Sequence, residues 1–499
     1  MPDLITRLQK LLSSSSLRNY PLKTSIFLYT ISWGWLYFIR DSIWSDDWDL
    51  FAFRKNTSYN FELYGFAPWR DIDFFLYELF GAQSLKALTF LSFFFSSIFV
   101  YGIQSKIPSL NLTQRRLIAV LFLILPFNSS RISMMVFAYT IAYFCFFLAW
   151  YLLVVFDGPK IKMLCLILFF LSFQMHSMLF FYCVPVAHYL FLSRLKVSTE
   201  FYSLIRTNFI LITLPIAYLI SRAVMWPSKN GYHKVDLLEM NYLTFIALSS
   251  TTVFAIYSLR KMFDISIRTI NLIVSGLLLL MITTLPYVIY RVYRGSYLFI
   301  YDYAVIFFGR QGWDSRHQTL QPLGAAFLTV GIVSLVPEAL KKLKSSFVAL
   351  VLLTSILMNL TFGFEAFTEF SKHLSVIDHI EAKRDYKQVQ QYIVQDETQN
   401  LNFLNNQYSA KQWAGLIATA TDDSIYSWFD IIPGVGTSKR LVIGCQISDE
   451  MTLNSDAGLS RLILIRGPAS RWRALKNFLS SGEIGFVIQV IDSNRICST

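Results

Sequence analysis

The sequence predicts a polytopic α-helical membrane protein with a small soluble domain at its C-terminal end. Of the 499 residues, 54% are hydrophobic and only 15% are charged, whereas soluble domains carry about 25% charged residues. The apolar residues fall in long runs, and short segments rich in lysine and arginine separate these runs. The last part of the chain instead combines helix-like and strand-like stretches with turn residues, as a soluble domain does.

The membrane region is predicted to begin after a basic N-terminal segment, residues 1–24. This segment has no signal-peptide pattern, so we expect a cytoplasmic lead-in. Residues 25–363 form the predicted transmembrane domain, with about eleven helices. The apolar runs lie at 25–39, 85–103, 117–127, 132–155, 163–174, 177–193, 208–225, 241–258, 269–290, 323–337 and 346–363. The third and fifth runs are shorter than the ~20 residues that cross a bilayer upright.

The distribution of cations predicts the orientation of the chain. If the runs alternate across the membrane, the short basic segments all lie on the same side as the N-terminus. Cytoplasmic loops retain lysine and arginine, so this side is expected to be cytoplasmic. The long segment 40–84 and residues 364–499 then face outward. The formal net charge of +12 follows from the same bias, and we expect no nucleic-acid partner.

Several common chemistries find no motif in the chain. There is no Walker loop, no GxGxxG motif that opens a helix and no zinc-type spacing of cysteine and histidine. ATP-driven transport and Rossmann-type cofactor chemistry therefore have no support in the sequence.

Residues 364–499 predict a small extracytoplasmic domain of the α/β or α+β class. The stretch IEAKRDYKQVQQYIVQ, residues 380–395, is helix-like, while RLVIGC, RLILIRG and IGFVIQVI are strand-like. Cys445 and Cys497 both fall in this domain. In an oxidising compartment they form a disulfide, and the alternative is a pair of buried free cysteines.

The first outward segment carries an acidic motif, WSDDWDL, with Asp46 and Asp47 between two tryptophans and Asp49 directly after the second. Adjacent carboxylates repel each other unless a cation, a metal or a hydrogen-bond donor offsets the repulsion. Such an acid can act as a general base toward a hydroxyl or hold a divalent cation on a phosphate. Asp71 and Asp73 of WRDID lie later in the same segment. The alternative is a solvated loop with incidental acids.

The cations of the outward segments are mostly arginines, whose planar guanidinium binds phosphate or carboxylate in bidentate fashion. Candidates for binding a lipid-linked phosphate are Arg70, Arg131, Arg291, Arg294, Arg310 and Arg316, together with His317. The alternative for each arginine is an ion pair with a nearby acid. Asn128 and His176 lie in short outward turns, where polar residues can line a cavity.

These features together resemble the GT-C superfamily of integral membrane glycosyltransferases. The resemblance lies in a first helix with its N-terminus inside, the acids SDDWD in a long aromatic first outer loop, many further spans and an outward C-terminal domain. It implies catalytic roles for Asp46 and Asp47, with Asp49, Asp71 and Asp73 as auxiliary acids or metal ligands.

The resemblance also implies a reaction. A sugar would move from a polyprenyl-phosphate carrier to the hydroxyl of a glycan, lipid or protein acceptor, with inversion, at the outer face of the plasma (inner) membrane. A divalent cation, Mg²⁺ or Mn²⁺, is a further expectation.

Two other functions stay open at this point. An O-antigen-type polysaccharide polymerase would use lipid diphosphates and depend more on the arginines than on Asp46 and Asp47. A lipid-linked-glycan flippase or transporter would carry charged residues at mid-membrane and repeated halves.

Overall fold

The computed structural model describes most of the chain. The described residues are 17–39, 42–44, 47–48, 61–63, 67–196, 201–227, 257, 266–289, 318–382, 389–402, 410–421, 426–427, 440–443 and 459–493. Helices dominate up to residue 382, and a five-stranded sheet follows. The chain is therefore a helical protein with a small sheet-containing domain at its C-terminal end.

The helices of the first part are numbered in chain order. They are α1 Leu22–Tyr29, α2 Ala67–Gln104, α3 Leu112–Ile124, α4 Phe137–Val155, α5 Pro159–Ser172, α6 His176–Phe181, α7 Cys183–Lys196, α8 Phe201–Thr207, α9 Phe209–Met225, α10 Ile267–Ile289, α11 Gln321–Leu335 and α12 Lys341–Glu381. After α1 the chain continues helically through a π turn, Thr30–Gly34, and Trp35–Tyr37.

The apolar helices indicate a membrane protein, but not the predicted count of about eleven spans. In the described residues, five helices are long and apolar enough to cross a membrane, and they lie at Arg70–Gln104, Phe137–Val155, Ser177–Leu195, Ile267–Thr284 and Lys341–Glu381. Two more apolar helices, Phe209–Met225 and Gln321–Leu335, are shorter. The count fails because several apolar runs form short helices: α3 has 13 residues and α5 has 14. The predicted run at 241–258 lies outside the described residues apart from Tyr257.

A glycine divides α2 into an outer and an inner part. Gly81 has φ 72° and ψ 179°, a conformation outside the helical region that glycine adopts without steric cost. The predicted end of the first outward segment, residue 84, lies close to this break. The outer part of α2 carries the WRDID acids, and the inner part packs in the aromatic core of the bundle.

Close contact between α10 and α11 depends on two glycines. A Cβ atom on Gly276 would lie 2.5 Å from the backbone nitrogen of Leu328, and one on Gly324 would lie 2.8 Å from the side chain of Leu280. Small residues allow helix backbones to approach closely in membranes, where packing rather than the hydrophobic effect drives association.

The last helix of the bundle continues into the C-terminal domain. The 41 residues of α12 give a length of about 60 Å, twice the ~30 Å of a bilayer core. Its first part is apolar, and its last part carries Glu365, Lys372 and His373, all buried. The predicted domain boundary at residue 363 thus falls inside one continuous helix.

The C-terminal domain contains helices and one β-sheet with both parallel and antiparallel strand pairs. Its strands are β1 Val389–Asp396, β2 Tyr426–Ser427, β3 Arg440–Ile443, β4 Leu459–Arg466 and β5 Val487–Ser493, and its helices are α13 Ala410–Thr421 and α14 Arg471–Ser481. The strand order is β2-β3-β1-β4-β5. The pairs β2–β3, β1–β3 and β1–β4 are parallel, with Ile393 opposite Leu462, and β4–β5 is antiparallel.

The three predicted strand runs agree with β3, β4 and β5, but the helix predicted at 380–395 is wrong for residues 389–395, which belong to β1. The helix α12 ends at Glu381, and β1 begins at Val389. The sequence VQQYIVQ places Tyr392 and Val394 two positions apart, and both are buried in the core of the domain. A side-chain period of two residues suits a strand, and the central position of β1 between β3 and β4 favours it over the helix.

Candidate functional site

The candidate site is built on the turn between α3 and α4, residues 128–134. The helix α3 begins with a capping box, in which Asn111 accepts from the backbone nitrogen of Gln114 and Gln114 accepts from that of Asn111. After α3 ends, Asn128 adopts the left-handed conformation, φ 54° and ψ 57°, and its side-chain oxygen accepts a hydrogen bond from Ser130 Oγ at 3.0 Å. This reversal positions the buried 3₁₀ turn Ser129–Ile132.

Asp47 of the acidic motif lies against this turn, fully buried. Ser133 Oγ donates to Asp47 Oδ1 at 2.6 Å, and the Met134 backbone nitrogen donates to Asp47 Oδ2 at 2.9 Å. The Trp44 backbone nitrogen adds a longer contact of 3.5 Å to the same oxygen. Hydrogen bonds to a carboxylate stabilise its charged form, so both oxygens of Asp47 are supported as an anion.

Asp73 is the second buried carboxyl group of the site. It is 1% exposed, and neither of its oxygens has a hydrogen-bond partner among the described residues. Asp47 is close enough to act on it electrostatically. Burying an ionised carboxylate without a partner costs free energy, and a second negative charge adds to that cost. The site therefore holds one hydrogen-bonded carboxylate, Asp47, and a second carboxyl group, Asp73, without a described hydrogen-bond partner.

Asp71 and Arg70 do not join this buried pair. Helical residues two positions apart point about 200° away from each other, so Asp71 and Asp73 lie on opposite faces of α2. Arg70 makes salt bridges of 2.6 Å to both Glu62 and Asp71 at the protein surface. Arg70 thus forms the ion pair with nearby acids that the sequence left open as the alternative to phosphate binding.

Arg131 is buried in an aromatic cage. Its guanidinium carbon lies 4.0 Å from the ring centroid of Trp33 and 5.1 Å from that of Phe93. Tyr29 borders the same cage, with its ring centroid 5.8 Å away. Tyr29 and Trp33 are four residues apart and so project from the same side of a helix. The faces of aromatic rings attract cations, which explains how a buried arginine is accommodated without a salt bridge in the described contacts.

Two nitrogens of Arg131, Nε and Nη2, have no hydrogen-bond partner among the described residues. The hydroxyls of Tyr29, Tyr37 and Tyr143 lie within electrostatic reach of the guanidinium. The cage thus offers a cation with free donors next to the turn that holds Asp47. This is the chemistry that binds an anionic group such as a phosphate.

Two features of the site have no signal in the sequence motifs. Ser133 and the Met134 backbone nitrogen hold Asp47, yet a serine near an arginine is too common to be recognised as a ligand. Lys86 is also buried, with its Nζ 2.5 Å from Ser42 Oγ, 3.3 Å from the Ile39 carbonyl oxygen and 4.9 Å from the ring centroid of Trp44. Lys86 lies inside an apolar run of the sequence, and nothing there indicated its contacts with Ser42, Ile39 and Trp44.

The tryptophans of the acidic motif connect the site to α12 and the C-terminal domain. Trp44 donates from Nε1 to the Ala366 carbonyl oxygen at 3.1 Å. Trp48 packs edge-on against His373, with ring centroids 5.8 Å apart, and belongs to the core that contains Tyr392 of β1. Asp47 therefore lies between two anchored rings, which fix its backbone on both sides.

Several predicted site residues lie outside the described part of the chain. These are Asp46, Asp49, Arg291, Arg294, Arg310, Arg316 and His317, together with the cysteines Cys445 and Cys497. His176 begins the short helix α6. For all of these residues the roles given above stay predictions.

A divalent cation fits the described residues only in part. The described residues contain no group of three or more His, Cys, Asp or Glu side chains that could hold a metal ion. Mg²⁺ often takes one or two carboxylates and completes its shell with water and substrate phosphates. Asp73 would be such a ligand, since both of its oxygens lack a described partner.

Comparison with known proteins gives no relative. No protein-family profile, no curated protein and no solved structure matches the chain.

Proposed function

We propose that the chain is a membrane glycosyltransferase that moves a sugar from a polyprenyl-phosphate carrier to an acceptor hydroxyl. The observation that carries the proposal is the buried carboxyl pair of Asp47 and Asp73, with the caged cation of Arg131 two residues before Ser133 in the turn that holds Asp47. A buried acid pair next to a free guanidinium suits a reaction that removes a proton from one oxygen and leaves negative charge on another.

Asp73 is the general base in this proposal, rather than Asp47, and the predicted role of Asp46 stays a prediction. Both oxygens of Asp47 accept hydrogen bonds from the turn, which leaves it less able to accept a proton. The oxygens of Asp73 have no described partner, so its carboxylate form has both oxygens available to an acceptor hydroxyl. Asp47 is then the fixed negative charge beside Asp73, and its hydrogen bonds order the turn.

The reaction proceeds in one displacement. Asp73 takes the proton of the acceptor hydroxyl, and the acceptor oxygen attacks the anomeric carbon with inversion. The bond between that carbon and the phosphate oxygen breaks, and polyprenyl phosphate leaves with the electron pair. Arg131 stabilises the charge that develops on the phosphate, and its free Nε and Nη2 are the donors for this contact.

The orientation of the site is part of the proposal. The basic segments support a cytoplasmic N-terminus, so the acidic motif and the C-terminal domain lie on the outer face of the plasma membrane. Because Trp48 joins the core of that domain, the domain borders the carboxyl pair and is placed to receive the acceptor.

A transfer assay on the purified protein in lipid tests the proposal. Polyprenyl-monophosphate and polyprenyl-diphosphate sugars are offered side by side, with wild type and Asp73→Asn in parallel. We expect transfer from the monophosphate that disappears in the variant. Chain elongation from the diphosphate alone, unaffected by Asp73→Asn, would instead favour a polymerase. No transfer from either donor, with flipping of the lipid between leaflets, would favour a transporter.

A further inference from the structure

A groove opens at the opposite end of the bundle from the carboxyl pair. It lies between α1, α3, α11 and α12 and has a volume of about 560 Å³. Its walls are apolar, and they are formed by Leu28, Leu117, Val120, Val333, Val348 and Leu352. None of the described acids lines it. The groove belongs to neither the aromatic cage nor the Asp47 turn.

Three cations from two helices stand at the rim of the groove. Arg116 is near the start of α3, and Lys341 and Lys344 form the first turn of α12. Arg116 Nε donates to the Asn19 carbonyl oxygen at 2.9 Å, which fixes the guanidinium at the rim. The rim thus carries three positive charges from described residues.

The groove changes in polarity along the helices. The polar rim includes Gln114, whose Nε2 donates to Ser334 Oγ at 3.2 Å, and the apolar residues Leu117 and Val120 lie one and two turns further along α3. On α12, Val348 and Leu352 follow Lys344 at the spacing of helical turns. A molecule that fills this groove has an anionic head and an apolar tail, because it must match both ends.

We propose that the groove binds one anionic phospholipid. Its phosphate lies between Arg116, Lys341 and Lys344, and its acyl chains lie between α3, α11 and α12. A soluble anion would meet the three cations but would leave the apolar walls uncovered. A zwitterionic lipid would cover the walls but would bring its own positive charge to the rim. In the proposed topology the basic loops are cytoplasmic, so this site lies in the cytoplasmic leaflet and is independent of the proposed transfer reaction.

The experiment titrates lipids into the purified full-length protein in detergent and measures binding by native mass spectrometry and the thermal unfolding midpoint. A ligand that binds the folded state raises this midpoint by mass action. The probes are dioleoyl-phosphatidylglycerol, dioleoyl-phosphatidylcholine and glycerol 3-phosphate. We expect binding and a raised midpoint with phosphatidylglycerol and neither with the other two.

Three variants locate the site. Lys341→Gln/Lys344→Gln removes two rim charges, and we expect the affinity for phosphatidylglycerol to fall roughly 30-fold. Ser345→Trp narrows the groove without removing a charge and is expected to weaken binding as well. Lys342→Gln is the matched control, because Lys342 neighbours both lysines but does not line the groove; its affinity should equal that of wild type.

Three results would overturn the proposal. The first is equal binding of phosphatidylglycerol and phosphatidylcholine, which would make the groove a site for lipid tails alone. The second is comparable binding of glycerol 3-phosphate, which would make it a site for soluble anions. The third is an equal loss of affinity in Lys342→Gln, which would reduce the effect to general surface charge.

Discussion

The hydroxyl of Ser133 donates a hydrogen bond of 2.6 Å to Asp47 across 86 residues of sequence. This contact joins the first outward segment to the turn between α3 and α4. Asp73, on the outer part of α2, completes the site from later in the same segment. The acidic motif, the start of α2 and the turn between α3 and α4 thus form one buried site.

Asp73→Asn is expected to lower kcat for sugar transfer by on the order of 10²–10⁴-fold, the usual contribution of a general base. The amide has nearly the same size as the carboxyl group but cannot take up the acceptor proton. KM for the lipid donor should change little, because Asp73 makes no described contact that would bind it. Steady-state kinetics of the purified variant measure both constants.

The matched control is Asp71→Asn on the exposed face of the same helix, which should retain wild-type kcat. A second control repeats the wild-type assay with EDTA: transfer that continues shows that no divalent cation is needed, and transfer that stops and returns with Mg²⁺ shows that one is. Undiminished kcat in Asp73→Asn would remove Asp73 from the mechanism altogether.

Ser133→Ala tests the contact between the turn and Asp47. The change removes a hydrogen bond to a charged group, and we expect a loss of about 1–3 kcal/mol in stability. Misplacement of Asp47 is expected to lower kcat by up to about 10²-fold. Thr140→Ala is the control, because that buried hydroxyl donates only within its own helix, to the Val136 carbonyl oxygen. Equal effects of the two variants would show that Asp47 needs no such support.

Arg131→Lys keeps the positive charge but loses the planar group that stacks over Trp33. Cation–π contacts in desolvated sites contribute about 2 kcal/mol, so we expect kcat/KM for the lipid donor to fall by at least about tenfold. A lysine also presents no bidentate donor to phosphate. Arg115→Lys, at the other end of α3, serves as control. If Arg131→Lys matched wild type, a point charge would be sufficient and the cage would be structural.

The sequence allowed the class of the fold and the neighbourhood of the site to be predicted, because both depend on local signals. Apolar runs identify membrane helices, and the acids between two tryptophans identify an unusual outward segment. The number of spans was not predictable, since short helices such as α5 are as apolar as the helices that are long enough to cross a membrane. The strand β1 was assigned to a helix, because its place at the centre of the sheet is a tertiary effect.

The distribution of roles among the aspartates also needed the structure. WRDID offers Asp71 and Asp73 as equivalent acids, but the helical period places one at the surface and the other in the interior. Which face is buried depends on how α2 packs against the turn of Ser133, and that packing leaves no trace in a single sequence. The aromatic cage of Arg131 was not predictable either, because Trp33 and Phe93 come from two separate apolar runs and nothing in the sequence shows that these rings meet.

Trp48→Ala tests the connection between the acidic motif and the C-terminal domain. Removing a large buried ring from a core costs about 3–5 kcal/mol, so we expect a lower thermal midpoint. Transfer should fall too, because Trp48 directly follows Asp47 and anchors its backbone. Trp472→Ala is the matched control, since Trp472 lies in the same domain but is 74% exposed. Equal midpoints for the two variants would contradict the docking of Trp48.

The buried ion pair of Lys372 and Asp396 connects α12 to the end of β1 at 2.8 Å. Lys372→Met leaves the carboxylate buried and unpaired, and we expect a loss of about 3–5 kcal/mol in stability. Asp396 also accepts from the backbone nitrogen and the hydroxyl of Thr398, and asparagine retains an oxygen for these bonds. The double variant Lys372→Met/Asp396→Asn therefore removes both charges and preserves the turn. We expect it to be more stable than Lys372→Met alone, as measured by denaturant unfolding. A loss in the double variant equal to the sum of the losses in Lys372→Met and Asp396→Asn would mean that the two charges do not depend on each other.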